Sequence, residues 1–107
     1  MDMITRAEEF IMLAVWRLKE DAYCVPLRAQ ISDITGEEWS LGSVYMPLDR
    51  LVKRGLLESY LTEATPERGG RRKRIYRLTG EGLKRLRNMK DIERRMWEGF
   101  PSMGEEV

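Results

Sequence analysis

The chain has 107 residues, 42% hydrophobic and 35% charged, with 19 basic against 18 acidic side chains and a net charge of +1. That length suits one domain with a modest core, which gains from a partner subunit. Histidine is absent, Cys24 is the single cysteine and no phosphate-cradling glycine loop occurs, so neither an enzyme, a metal site, a cofactor nor a disulfide framework is expected.

Thr5 and Glu8 have capping-box spacing, in which hydroxyl and carboxylate satisfy free N–H groups reciprocally. Phe10, Leu13, Ala14 and Leu18 follow at helical spacing, which predicts a first helix over residues 4–20. The apolar run 10–16 within it is too short to cross a membrane. It follows two glutamates rather than a basic leader, so a cytoplasmic protein is expected, away from membranes. After a connector at 21–25, where Cys24 reads as a buried, inert thiol, Pro26 suits a first helical position. Leu27, Ile31 and Ile34 make the stripe of this second helix, and Gly36 ends it.

Ser40 is a good N-cap for a third helix, with Trp39 placed to staple onto Val44. Leu41, Val44, Leu48 and Leu51 form its inward stripe, and Gly55 stops it. Pro47 lies inside that pattern, at a cost of roughly 3 kcal/mol in a regular helix. An irregular first turn is therefore expected, with regular helix starting near Tyr45. From Leu57 the period changes to two, and a strand is predicted there. Residues 64–70 hold a proline and two glycines and break it. Residues 72–78 read as a returning strand, making a hairpin with a long tip. Thr79 caps a final helix at 80–98, and the tail at 101–107 is expected to be disordered.

The predicted fold is mainly α with a β-hairpin: a winged helix-turn-helix over residues 1–79 and a dimerisation helix over 80–100. Such a motif lays its second helix, here about 41–54, in the major groove of double-stranded DNA. With the stripe turned inward, Gly42, Ser43, Met46, Asp49, Arg50 and Lys53 point outward. The N–H groups of Gly42 and Ser43 sit at the positive helix end, where a phosphate binds. Arg50 and Lys53 have the reach for phosphate or guanine. Asp49 either accepts from cytosine or pairs with Lys53 one turn on.

The wing, 64–74, is densely basic. Arg68, Arg71, Arg72, Lys73 and Arg74 are candidate contacts to the DNA backbone or the minor groove. Strand alternation would let at most half of residues 71–74 face one way. The competing reading is a protein-interaction winged helix whose basic wing meets an acidic partner.

The final helix would be roughly 28 Å long. Its stripe of Leu83, Leu86, Met89, Ile92 and Met96 continues to Trp97 and Phe100, past the body of the domain. A second copy is the simplest cover for it, making a homodimer. Folding back on the first helix is the alternative. Glu81, Asp91, Glu93 and Glu98, interspersed among its cations, argue against a membrane-surface helix.

The segments "LGSVYMPLDRLVKRGLLES" and "GGRRKRIYRLTGEG" resemble the PadR family of bacterial transcriptional regulators, in its short form with one C-terminal helix. The likeness covers about residues 5–98. It rests on Gly42, Ser43 and Tyr45 with Leu48, Leu51, Gly55 and Leu56, then residues 76–79. Pro47 stands one place later than the proline of many members. The resemblance implies a homodimeric winged-helix repressor on a palindromic operator. It implies a phosphate-contacting tyrosine at Tyr45 and wing contacts at 68–74. It also implies that Trp97, Phe100 and Trp16 are the aromatics available to a small aromatic effector between dimerisation helices.

Overall fold

The computed structural model of the chain describes residues 3–63, 71–102 and 104. Its elements in order are α1 (Arg6–Leu18), one 3₁₀ turn (Lys19–Asp21), α2 (Cys24–Thr35), α3 (Leu41–Lys53), β1 (Leu57–Leu61), β2 (Arg74–Leu78) and α4 (Gly80–Trp97). Three helices, an antiparallel hairpin and a long last helix make the winged helix-turn-helix predicted above. The expected wing tip at 64–70, Arg68 included, lies outside the described residues, as do tail residues 103 and 105–107.

Local chemistry sets the ends of these elements. The Glu8 N–H donates to Thr5 Oγ1 at 3.1 Å, and the Thr5 N–H donates to Glu8 Oε1 at 2.8 Å. This closes the capping box that starts α1. Gly36, at φ 76°, terminates α2 in the left-handed region that glycine enters without a Cβ penalty. Pro26 is the third residue of α2 rather than the first. The N–H of that position also lacks an intrahelical acceptor, so proline costs nothing there either. Between α2 and α3 the turn is pinned on both sides. The Trp39 N–H donates to Ser32 Oγ at 3.0 Å, and Arg28 donates to the Trp39 carbonyl at 3.2 Å.

Pro47 does not deform α3 as expected: the helix is continuous from Leu41 to Lys53. The proline ring is buried, and that burial offsets part of the lost hydrogen bond. The carbonyl it deprives belongs to Ser43, an exposed residue open to water. At the far end, the Leu56 N–H reaches the Leu51 carbonyl and the Gly55 N–H reaches that of Val52, both at 3.0 Å. These are the two bonds of a Schellman ending, with Gly55 at φ 76°.

The core joins Ile11, Met12, Ala14 and Val15 of α1 to Leu27 and Ile31 of α2, Val44, Leu48 and Leu51 of α3, and Leu56, Leu57 and Tyr76 around the hairpin. Trp39 packs against the same cluster. Three predicted stripe residues are exposed instead: Leu13, Ile34 and Leu41. Residues 10–16 are apolar all round the helix, so periodicity alone does not choose the buried face. Cys24 is half-buried, with Sγ 3.8 Å from the Leu41 carbonyl; burial pushes its thiol up. This keeps it protonated and unreactive at neutral pH.

β1 and β2 pair from Leu57↔Leu78 to Leu61↔Arg74. The second strand starts at Arg74, two residues later than predicted. Its outer edge is tied to the body by the Tyr76 N–H, which donates to the Ala22 carbonyl at 2.9 Å. Ile75 and Tyr76 point to opposite faces, yet both are buried. The hairpin is thus covered by α1 on one side and α3 on the other.

α4 starts at the Thr79 cap, where the Gly82 N–H donates to Thr79 Oγ1 at 3.0 Å. Leu86 and Met89 pack on the core. Ile92 is half-buried, and Glu93 Oε1 accepts from Arg6 of α1 at 3.1 Å; beyond Glu93 the helix leaves the body, and Met96 is 79% exposed. The protein is accordingly elongated, 59 × 29 × 20 Å.

Candidate nucleic-acid interface

The outward face of α3 and the base of the hairpin lie on one side of the molecule. They line a single cleft of about 290 Å³, formed by Tyr45, Asp49 and Val52 of α3, Ser59 of β1, and Arg74 and Tyr76 of β2. Strand register explains the hairpin's share. Ser59 pairs with Tyr76 and Leu61 with Arg74, so alternate residues 59, 74 and 76 face the helix together. Arg74 is held there by a 3.1 Å bond from its guanidinium to Ser59 Oγ. Desolvation in the cleft wall raises the Tyr76 hydroxyl above its ordinary pKa, the Arg74 charge opposing. That tyrosine stays a neutral donor at physiological pH.

Along α3, Gly42, Ser43, Tyr45, Met46, Arg50 and Lys53 are all exposed. One part of the anion-site expectation changes. The Ser43 N–H is consumed by the Ser40 cap at 3.1 Å, and the Ser43 hydroxyl donates to the Ser40 carbonyl at 2.7 Å. The cap that starts the helix therefore takes one of the two N–H groups assigned to a phosphate; Gly42 keeps its place at the positive end. Asp49 pairs with Lys53 at 2.9 Å, the second of the two roles open to it. That hydrogen bond and its charge raise the Lys53 ammonium above its usual pKa.

The basic segment divides into tied and untied cations. Lys73 places its ammonium 4.6 Å from the centroid of the Tyr23 ring, and its backbone bonds to Thr62. Arg71 and Arg72 are exposed, precede β2 and have no side-chain partner among the described residues. Strand alternation consequently constrains only Arg74 of this cluster, not all four residues. Glu8, read from the sequence only as a helix cap, and Arg54, given no role there, also bear on the surface. Glu8 of α1 is buried and approaches Arg50 and Arg54. No periodicity in the sequence marks a buried carboxylate.

The predicted dimer residues fall in two groups. Leu86 and Met89 serve the domain's own core, and Ile92 is half-buried. Leu83, Met96, Trp97 and Phe100 are exposed. Trp97 and Phe100 stack edge to face, with centroids 4.9 Å apart. Trp16 is not beside them. It lines a separate cavity of about 440 Å³ with Tyr60, Arg77 and Leu83, and the Lys19 ammonium covers its ring at 4.3 Å. Within one chain the three candidate ligand aromatics form no common site. Among the described residues there is no metal-ligating cluster, and no helix long and apolar enough to cross a membrane.

The sequence profile of the transcriptional regulator PadR-like family matches residues 12–88. A PadR-like transcription factor from Bacteroides fragilis superposes with a TM-score of 0.71 at 27% identity, over 85% of this chain and 82% of that one. A PadR family regulator from Eggerthella lenta gives 0.65 at 29% identity, covering 83% and 75%. One from Clostridium difficile gives 0.64 at 27% identity, covering 81% and 88%. No curated protein sequence matches the chain.

Proposed function

The chain belongs to the PadR-like family of DNA-binding transcriptional regulators, and on that premise we propose that it is a homodimeric repressor of a palindromic operator. In this reading α3 enters the major groove. Arg71, Arg72 and Arg74 contact the backbone or the flanking minor groove, joined by the wing tip with Arg68. Tyr45 meets a phosphate at the mouth of the shared cleft. The single observation that carries the reading is that cleft: the outward face of α3 and the base of the hairpin after it open to the same side, with cations at its edge.

A second copy completes the reading. The end of α4 leaves Met96, Trp97 and Phe100 in water, and a contiguous apolar surface of this kind usually meets a partner. Phe10, Leu13 and Ile34 border a further apolar cleft of about 380 Å³ on the α1–α2 side. Two subunits related by a two-fold axis set their recognition helices about 34 Å apart, one turn of duplex.

Selection of bound duplexes from a random pool at physiological salt tests the class directly. The expected result is a two-fold-symmetric motif with half-sites one turn apart. Recovery of no enriched duplex would remove the operator reading. Dimerisation is tested separately by the double substitution Met96→Glu with Trp97→Glu. Equilibrium sedimentation is expected to shift to the monomer mass. Affinity for the selected motif is expected to fall by about 10²-fold or more, because two half-sites no longer share one binding entity. A variant that remains a dimer would place the interface elsewhere.

A further inference from the structure

Glu8 sits on α1, outside the face just described, yet it is bonded toward that face. Its side chain is only 5% exposed. Oε1 accepts the Thr5 N–H at 2.8 Å. Oε2 lies 3.4 Å from Arg54 Nη1 and 3.9 Å from Arg50 Nε. A buried carboxylate persists only when paired and hydrogen-bonded, and here both paired cations come from the recognition helix and its C-cap. Capping α1 accounts for Oε1 alone. It does not account for Oε2, which accepts from Arg54 at the C-cap of α3 and lies within ion-pair reach of Arg50.

The placement of the pairing matters as well as its charge. An arginine carries five N–H donors in a rigid fork. Arg50 turns its inner Nε toward Glu8, while its side chain stays 54% exposed. At 3.9 Å this approach is an ion pair and not a hydrogen bond, so it biases the guanidinium toward one orientation through charge and leaves its N–H donors free for a ligand. A free arginine loses rotamer freedom when it docks, and one already oriented loses less.

From these contacts we infer that Glu8 is a positioning residue for sequence readout: from a buried site on α1 it aims the Arg50 guanidinium at the duplex. The inference rests on the regulator reading above and names what sets that site's discrimination. Simple electrostatics predicts the opposite sign. An anion near a polyanion weakens binding, so removing it should tighten every duplex alike.

Glu8→Gln separates the two. Its amide oxygen still accepts the Thr5 N–H, and the charge is gone. Binding is measured to the duplex selected from the random pool and to a scrambled duplex of equal length. Affinity for the selected duplex is expected to fall about tenfold, with the scrambled duplex unchanged or tighter, so that the specificity ratio drops. In an Arg50→Ala background, Glu8→Gln is expected to change the ratio no further, the mark of coupled residues. Equal tightening, or equal weakening, of both duplexes would overturn the proposal. So would a full effect without Arg50.

A measurement on the unsubstituted protein guards against misfolding of the variant. The Arg50 Nε–H signal, assigned by its disappearance in Arg50→Lys, is expected to exchange with water several-fold more slowly than that of Arg71. Equal exchange would overturn the proposal. If the parent discriminates no duplex, the regulator reading fails, and the exchange measurement alone decides whether Glu8 holds Arg50.

Discussion

Replacing Arg71 and Arg72 together with alanine is expected to flatten the salt dependence of DNA binding more than any other surface change. About three phosphate contacts per subunit give a dimer a log–log slope near −5; losing two per subunit brings it to about −2. The affinity loss should accordingly be about 100-fold larger at 50 mM than at 200 mM salt. These two arginines are suited to the test because they are exposed and have no partner among the described residues. Fold stability should stay within about 0.5 kcal/mol of the parent. Lys73 and Arg74 are poorer probes, since each has a structural contact of its own. A slope unchanged by the double substitution, with the unfolding midpoint intact, removes the base of the wing from the contact set. The acidic-protein alternative makes a different forecast. In that case the parent itself would show no steep salt dependence on duplex DNA.

Much of this fold was legible because punctuation is local. Thr5, Ser40 and Thr79 cap helices, and Gly36 and Gly55 end them, as their sequence neighbours imply. The change of period at Leu57 marks the hairpin equally well. What sequence could not supply was the choice of face where apolar residues run continuously. Ile11, Met12 and Val15 are buried while Leu13 is not, and only the position of α2 and α3 decides that. Pro47 misled for a related reason. Its cost in a regular helix is real, but a buried ring and a carbonyl on a water-exposed residue are tertiary facts. The candidate interface was legible as two charged elements. The capture of the Ser43 N–H follows from the N-cap role already read at Ser40; the sharing of one cleft and the approach of Glu8 to Arg50 and Arg54 are tertiary contacts that no spacing rule encodes.

Gly82→Ala is expected to cause the largest loss of stability of any single methyl addition in the described chain. Helix propensity predicts the reverse, since alanine is better than glycine inside a helix by about 1 kcal/mol. Packing decides the sign. A Cβ on Gly82 would overlap the Leu56 carbonyl oxygen, and would lie 3.1 Å from its carbon and 3.3 Å from Leu78 Cδ2. That carbonyl is backbone and cannot swing aside, because it accepts the Thr79 N–H at 3.2 Å. Thr79 in turn donates its hydroxyl to the Gly55 carbonyl at 2.7 Å and accepts the Gly82 N–H. To admit one methyl group, α4 must lift from the turn that joins α3 to β1, and this knot of bonds opens with it. Loss of the cap contributes about 1 kcal/mol, the Thr79 backbone bond about 1 more, and residual overpacking another 1–3. The net expectation is a loss of about 3 kcal/mol, read from denaturant unfolding. Gly80→Ala is the internal control: nothing lies within 4 Å of a Cβ there, so that change should be neutral or slightly stabilising. The same displacement would tilt the α4 end that carries Met96 and Trp97 against the wing that carries Arg74. Operator affinity in Gly82→Ala should therefore fall even at temperatures where the variant is still folded. A Gly82→Ala protein as stable as its parent would mean that α4 does not rest on Leu56, and the fixed relation between the projecting helix and the hairpin would go with it.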